Sequence, residues 1–266
     1  MPIYVPLNTI SGEWDSPVGS AHLTAAEKTL LTHADLTVWL DWKRVEVDGG
    51  AYIYQWVSRR RAADGSVAWA GVTIDTKGLV YYSTTDSQYG VRSGYLADGT
   101  INTNHTTLYG NSNFILPTGN WYVADLGVAE VPASIAVRWA TSDATDQLAA
   151  ADDSSGRLRR YANYSTSVTQ SATGVNVGAL MLREDTWDGT TWVTYKDRTS
   201  VATATPTLPT LPSRVLRLNS VNNGGSETGL AKGYREMFVV GTNTSSLRTA
   251  VKAVVAERHP GLSLAA

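Results

Sequence analysis

Leu180-Met-Leu-Arg-Glu-Asp-Thr-Trp-Asp-Gly-Thr-Thr-Trp-Val-Thr-Tyr-Lys-Asp-Arg-Thr-Ser-Val201 is the stretch on which the fold reading turns. Two strand-forming runs, Val177–Arg183 and Trp192–Lys196, flank a polar hairpin turn at residues 184–189. β-Branched and aromatic side chains suit a pleated ladder, and Asp-Gly in a short polar gap suits a tight reversal. Asp185 and Asp188 carry carboxylates able to bond the backbone of that turn. Trp187 and Trp192 flank it, and this reading leaves Trp187 at the surface.

The strand signal repeats outward. Leu36, Val38, Leu40 and Trp42 alternate with Thr37, Trp39, Asp41 and Lys43. Ile53 and Val57 alternate with Tyr52, Tyr54 and Trp56, and Ala68, Ala70, Val72 and Ile74 with Val67, Trp69, Gly71 and Thr73. Asp75-Thr-Lys-Gly78 is a turn into Leu79–Tyr82. Further strands are expected at residues 121–126, 135–140, 158–164, 214–218 and 234–240. Two helices are legible. Thr24-Ala-Ala-Glu27 is a capping box that opens a short one. Ser245–Arg258 sets Leu247, Val251, Val254 and Val255 on one face, and Pro260-Gly261 stops it. About ten strands and two peripheral helices predict an all-β, antiparallel two-sheet sandwich. No helical pattern separates successive strands, which argues against a βαβ fold.

Composition narrows the chemistry. The 266 residues include no Cys, nine Trp, thirteen Tyr and only two Phe. Thiolate nucleophiles, disulfide frameworks and cysteine-bound metals are therefore excluded. Charged residues make up 17% and the formal charge is -2, so no electrostatic footprint for nucleic acid exists. No apolar run approaches the roughly 20 residues that span a bilayer, so no membrane insertion is expected. The N-terminus lacks the pattern of a secretory signal. Pro2, Pro6 and Pro17 make residues 1–20 an extended arm, read as lying on its own domain or docking on another subunit. Residues 21–266 are read as one domain, although Thr205-Pro-Thr-Leu-Pro-Thr-Leu-Pro212 is a Pro-spaced connector.

The 180–201 hairpin resembles the strand–turn–strand unit of concanavalin A-like and laminin-G-like domains. Leu216-Arg-Leu-Asn219, the glycines Gly224, Gly225 and Gly229, and Gly233-Tyr-Arg-Glu-Met-Phe-Val-Val240 are similar to the closing strand pair of that superfamily. The resemblance spans roughly residues 34 to 259 and implies a jelly roll with a C-terminal helix, whose curved face or rim loops bind glycans.

Several constellations bear on function. Glycosidases need two facing carboxylates. Glu184 and Asp185 are adjacent, so they point to opposite strand faces and share no site. His22, His33, His105 and His259 lack metal-ligand spacing. Asp143, Asp146, Asp152 and Asp153 are oxygen donors of the kind Ca²⁺ takes, but a solvated acidic loop is the preferred reading, and no cofactor is implied. Arg157, Arg159 and Arg160 read as strand-end charges, as do Arg59–Arg61. If the aliphatic rows face the core, the opposite faces carry Trp39, Tyr52, Tyr54, Trp56 and Trp69. Such faces stack sugar rings, or they are covered by another layer, the arm or a subunit. The long polar stretch 83–120 adds Tyr89, Tyr95, Asn102, Asn104, His105 and Tyr109. With Trp187, these are the candidate glycan-binding residues; no catalytic or metal residue is assigned.

A glycan-binding domain without a secretory signal fits a phage or phage-like virion surface protein: a spike, fibre or tail component. It would be made in the cytoplasm, bind host-surface polysaccharide, contact other virion proteins through residues 1–20 and form a homo-oligomer. A purely structural virion protein is the first alternative, and a polysaccharide lyase or glycoside hydrolase the second.

Overall fold

The computed structural model describes residues 24–48, 52–61, 67–83, 88–92, 108–110, 115–129, 135–141, 148–163, 166–176, 178–211, 214–218 and 233–266, with backbone pairing alone between residues 41 and 110. Helix α1 (Ala25–Leu31) begins at the expected capping box: Glu27 N donates to Thr24 Oγ1 at 3.1 Å, and Thr24 N donates to Glu27 Oε2 at 3.2 Å. Helix α2 (Ser245–Arg258) is N-capped by Thr244 and buries Leu247, Ala250, Val251, Val254 and Val255 along the expected face.

The strands, in chain order, are β1 (Leu36–Asp48), β2 (Tyr52–Arg61), β3 (Val67–Ser83), β4 (Gln88–Arg92), β5 (Leu108–Gly110), β6 (Trp121–Ala129), β7 (Ala136–Thr141) and β8 (Ala149–Asp152). They continue with β9 (Leu158–Asn163), β10 (Thr166–Gln170), β11 (Leu180–Trp187), β12 (Trp192–Lys196), β13 (Thr199–Ala204), β14 (Leu216–Leu218) and β15 (Gly233–Gly241). All the strand pairs are antiparallel, in the order β10-β9-β8-β7-β14-β5-β3-β2-β1-β15-β6-β11-β12-β13, with β4 pairing both β15 and β3. This path doubles back on itself. Trp139 of β7 stacks on Trp192 of β12 with centroids 6.0 Å apart, and Trp121 of β6 sets its edge against both at 5.8 and 5.0 Å. The fold is thus a two-layer antiparallel β-sandwich, as the alternation predicts, with the facing layers linked through β2, β3 and β5.

Three apolar clusters form among the described residues: a small one of Val137, Ala140, Ala149, Ala151 and Tyr161 on the other face of β7–β9, and two large ones. Between the layers lie Val38, Leu40, Trp121, Val123, Trp139, Trp192, Phe238 and Val240. On the outer side of β1, β6 and β15, the helices press Leu30, Leu247, Val251 and Val255 against Trp39, Tyr122, Leu126 and Val239. Strand parity assigns each residue to one core or the other: in β6, Trp121 and Val123 point inward while Tyr122 and Ala124 point to the helices. At roughly 1.5–3 kcal/mol per buried large apolar side chain, the helix layer is a substantial part of the fold.

The 180–201 hairpin forms, with its reversal later than expected. Strand β11 runs on to Trp187, and the turn is residues 188–191. Asp188 Oδ1 accepts the backbone N–H of Thr190 and Thr191 at 2.8 and 2.7 Å, and Gly189 takes φ +100. These N–H groups hold the Asp188 carboxyl below its usual range. The β12–β13 connection is tighter, with Asp197 and Arg198 both at positive φ as a two-residue hairpin of the I′ kind requires. Strands β4 and β5, inside the stretch read as a long polar loop, and β8, β10 and β13 were not expected, and β3 runs unbroken through the expected Asp75–Gly78 turn; Ala149-Ala-Ala151 has little intrinsic strand preference and is recruited by its neighbours β7 and β9. The connector after Ala204 lays Leu208 and Leu211 against the inter-layer core, and its far side supplies β14 and the central strand β15.

Gly241 lies where the backbone leaves β15 for α2. A Cβ there would run into the Asp35 carbonyl oxygen and Leu247 Cδ2. Gly241→Ala is therefore expected to cost about 1–3 kcal/mol as an overpacking change, read as a lowered thermal midpoint.

Candidate glycan-binding surface

Register brings part of the aromatic set onto neighbouring strands. Tyr52, Tyr54 and Trp56 lie in β2, Trp69 in β3, Tyr89 in β4 and Tyr109 in β5. Tyr89 is paired with Tyr82, Trp56 with Val45 and Val72, and Tyr109 with Thr73 and Arg217. Trp39, Arg59 and Trp69 form one cross-strand row, whereas Trp56 lies at the opposite parity with Ser58, so the register does not set Trp56 on one face with Trp39 and Trp69 as expected. Tyr95, Asn102, Asn104 and His105 lie outside the described residues, as does the arm at residues 1–20.

Two candidates take different places from those expected. Trp39 is 0% exposed. It does lie opposite Val38 and Leu40, but the chain's own helices cover that face, and the Arg258 guanidinium sits 5.6 Å from its ring centre. Trp187 is also buried, because the longer β11 puts it in phase with the inward-facing Arg183 and Asp185. Neither ring is open to a sugar in this structure.

Charge inside the sandwich is the feature that sequence reading missed. Asp125 accepts a fork from Arg235, Nε at 2.7 and Nη2 at 2.8 Å, and a third bond from Arg138 Nη1 at 3.1 Å. Arg138 Nε reaches Asp152 at 2.6 Å, and Arg183 lies between Asp152 at 3.5 Å and Asp185 at 2.9 Å. Burial by itself would raise the Asp125 carboxyl, but Arg235 and Arg138 outweigh it and hold it below the usual range. Asp185 is not a turn residue. It points into the core, where Trp139 Nε1, Trp192 Nε1 and the Thr194 hydroxyl donate to it. Asp152 and Asp153 are buried rather than solvated, and Arg138 and Arg159 hold them. Arg160 is buried as well, and so does not blunt an edge. The available signal was an isolated charge at an inward position, as in Val123-Ala-Asp125; Arg138 carries no such signal, because it is the extra residue of a bulge between Val137 and Trp139.

The helix side has its own polar clusters. Glu184 accepts Tyr122 Oη at 2.8 Å and Arg198 Nη1 at 3.2 Å, with Arg248 at 3.6 Å. Burial first, and then Glu184, pushes the Tyr122 hydroxyl well above its usual value. Glu236 meets His259 at 2.6 Å and Arg258 at 3.3 Å, and Arg258 continues to Glu27 of α1 at 2.6 Å. Glu184 and Asp185 do face opposite cores, so they cannot act as a hydrolytic pair. Among the described residues no group of three or more His, Asp or Glu is placed to hold a metal ion. No described helix is long and apolar enough to cross a membrane. An open groove of about 510 Å³ runs between α1 and α2, lined by small residues with His33.

No protein-family model and no curated protein matches the sequence. Solved structures do match in shape. A Trypanosoma rangeli sialidase in complex with 2,3-difluorosialic acid superposes with a TM-score of 0.51 at 11% identity, over 85% of this chain and 34% of the sialidase. A mutant of the same enzyme displaying trans-sialidase activity gives 0.55 at 10% identity, over 85% and 33%. A botulinum neurotoxin type C structure, described through its interaction with two ganglioside molecules in cell entry, gives 0.50 at 7% identity, over 76% and 50%. The likeness is one of fold. This chain spans about a third of the length of the sialidases it matches.

Proposed function

We propose that this chain is a lectin-like module that binds host-surface polysaccharide as a surface component of a phage or phage-like virion. The observation that carries the reading is the gathering of Tyr52, Tyr54, Trp56, Trp69, Tyr89 and Tyr109 onto the adjoining strands β2–β5. Aromatic rings stack on the apolar faces of sugars, and the Ser-, Thr- and Asn-rich surroundings bond their hydroxyls. The chains of similar fold are described with sialic acid derivatives and gangliosides, which supports a glycan partner. Residues 1–20 would tether the module to other virion proteins, and repeated copies would turn weak contacts into avidity.

Intrinsic tryptophan fluorescence and an array of capsule and lipopolysaccharide fragments test this. Binding is expected, and Trp56→Ala is expected to weaken it about tenfold, the equivalent of about 1.4 kcal/mol. Failure to bind across the array would leave the purely structural virion role. The cover over Trp39 favours that second reading, since the chain already hides one aromatic face beneath its own helices.

A further inference from the structure

Helices α1 and α2 lie antiparallel on the outer sheet. Arg258 at the end of α2 reaches Glu27 in the first turn of α1, and Thr244, the N-cap of α2, donates to Asp35 just past the end of α1. Between them runs the open groove of about 510 Å³, within the range of roughly 300–1,000 Å³ that binding clefts occupy. Ala25, Ala26 and Thr29 form one wall and Ser246, Thr249 and Ala253 the other. All but Ala26 are exposed. Walls this small let an extended backbone come close, and His33 is the one ionisable side chain among the described residues that line them.

The chain holds a segment of matching character. Residues 2–12, Pro-Ile-Tyr-Val-Pro-Leu-Asn-Thr-Ile-Ser-Gly, carry no charged side chain, and Pro2 and Pro6 favour an extended backbone. Ile3, Val5 and Leu7 alternate with Tyr4 and Pro6, so such a backbone sets three aliphatic side chains on one side. The segment lies outside the described residues, which begin at Thr24, the N-cap of α1 and the neighbour of Ala25 in the groove wall.

Reach decides which copy supplies it. The groove beside Thr24 is roughly 10 Å long, the length of α1. Residues 8–23 extend up to roughly 55 Å. That is far more than a seat on the same domain needs, and enough to cross a domain of this size, whose radius of gyration is roughly 18 Å. An exchange of arms about a two-fold axis fills both grooves at once.

We propose that the α1–α2 groove is the seat for residues 3–7 of a second copy of this chain, so that copies are joined by exchanged arms. Resting on the reading of residues 1–20 as a tether, this gives that tether its receptor surface.

Sedimentation of the full chain is expected to show more than one copy per particle. Val5→Asp in the arm and Ala253→Glu at its exposed place in the groove are each expected to weaken the association about tenfold or more, because each sets a charge in an uncharged seat. The chain has no Cys, so introduced thiols report the contact directly. A short bis-maleimide is expected to join Val5→Cys chains to Ala253→Cys chains as covalent dimers, and not to Ser154→Cys chains, whose thiol is exposed in the β8–β9 turn of the other layer. A chain carrying both Val5→Cys and Ala253→Cys that closes on itself would assign the groove to its own arm and overturn the proposal, as would a single-copy mass for the unaltered chain. An association lost in Val5→Asp but untouched by Ala253→Glu would sink the groove alone. One that Val5→Asp leaves intact would sink the tether reading with it.

Discussion

Asp125→Ala is expected to lower the unfolding free energy by about 3–5 kcal/mol, the range for removing one partner of a buried ion pair. The cost lies in what is left behind. Arg235 loses both arms of its fork and Arg138 loses one of its two carboxylates, in a space where Asp125 is 1% exposed. Urea denaturation measures it, with the midpoint falling and the slope unchanged. Replacing Asp125 and Arg235 together by apolar residues of similar volume should restore part of the loss, because well-packed apolar pairs often replace buried ion pairs at little cost. Acid pH reaches the same interaction. The folded-state pKa of Asp125 is depressed, so its contribution is complete above the unfolded carboxylate value of about 3.9 and is lost as pH falls through the lower folded value. The stability of the unaltered protein should therefore drop steeply below about pH 4, and that of Asp125→Ala less steeply.

Trp121→Ala is expected to cost about 3–5 kcal/mol through packing alone. Trp121 is 1% exposed and sets its edge against Trp139 and Trp192, so its removal leaves a cavity at the contact between the layers. Loss of near-ultraviolet circular dichroism should accompany the lowered urea midpoint, since the three indoles hold one another in a chiral arrangement. A small change in both would mean that the layers close up around the gap.

The two predictions divide the molecule as the sequence divides. Trp121 belongs to an alternating strand, and its core position follows from that alternation. Asp125 belongs to the same alternation, yet as a charge it would ordinarily be read as a surface residue. Its partner Arg235 is 110 positions away, and no local pattern links them. The same holds for Glu27 and Arg258, 231 positions apart, which join the two helices. The hairpin was legible in Asp188-Gly189, but its reversal came later than expected because Glu184 and Asp185 look like turn residues and are instead buried strand residues with partners on opposite faces.

Elements, their alternation and the all-β class came from the chain alone, because helix capping, strand periodicity and turn chemistry act within a few residues. Parity could say that Trp39 and Val38 point opposite ways. It could not say what lies over Trp39, since that depends on where a helix 200 residues later comes to rest. Cover and charge pairing exist only once distant strands face one another, and excluding water from that space is what turns ordinary arginines and aspartates into strong, selective partners.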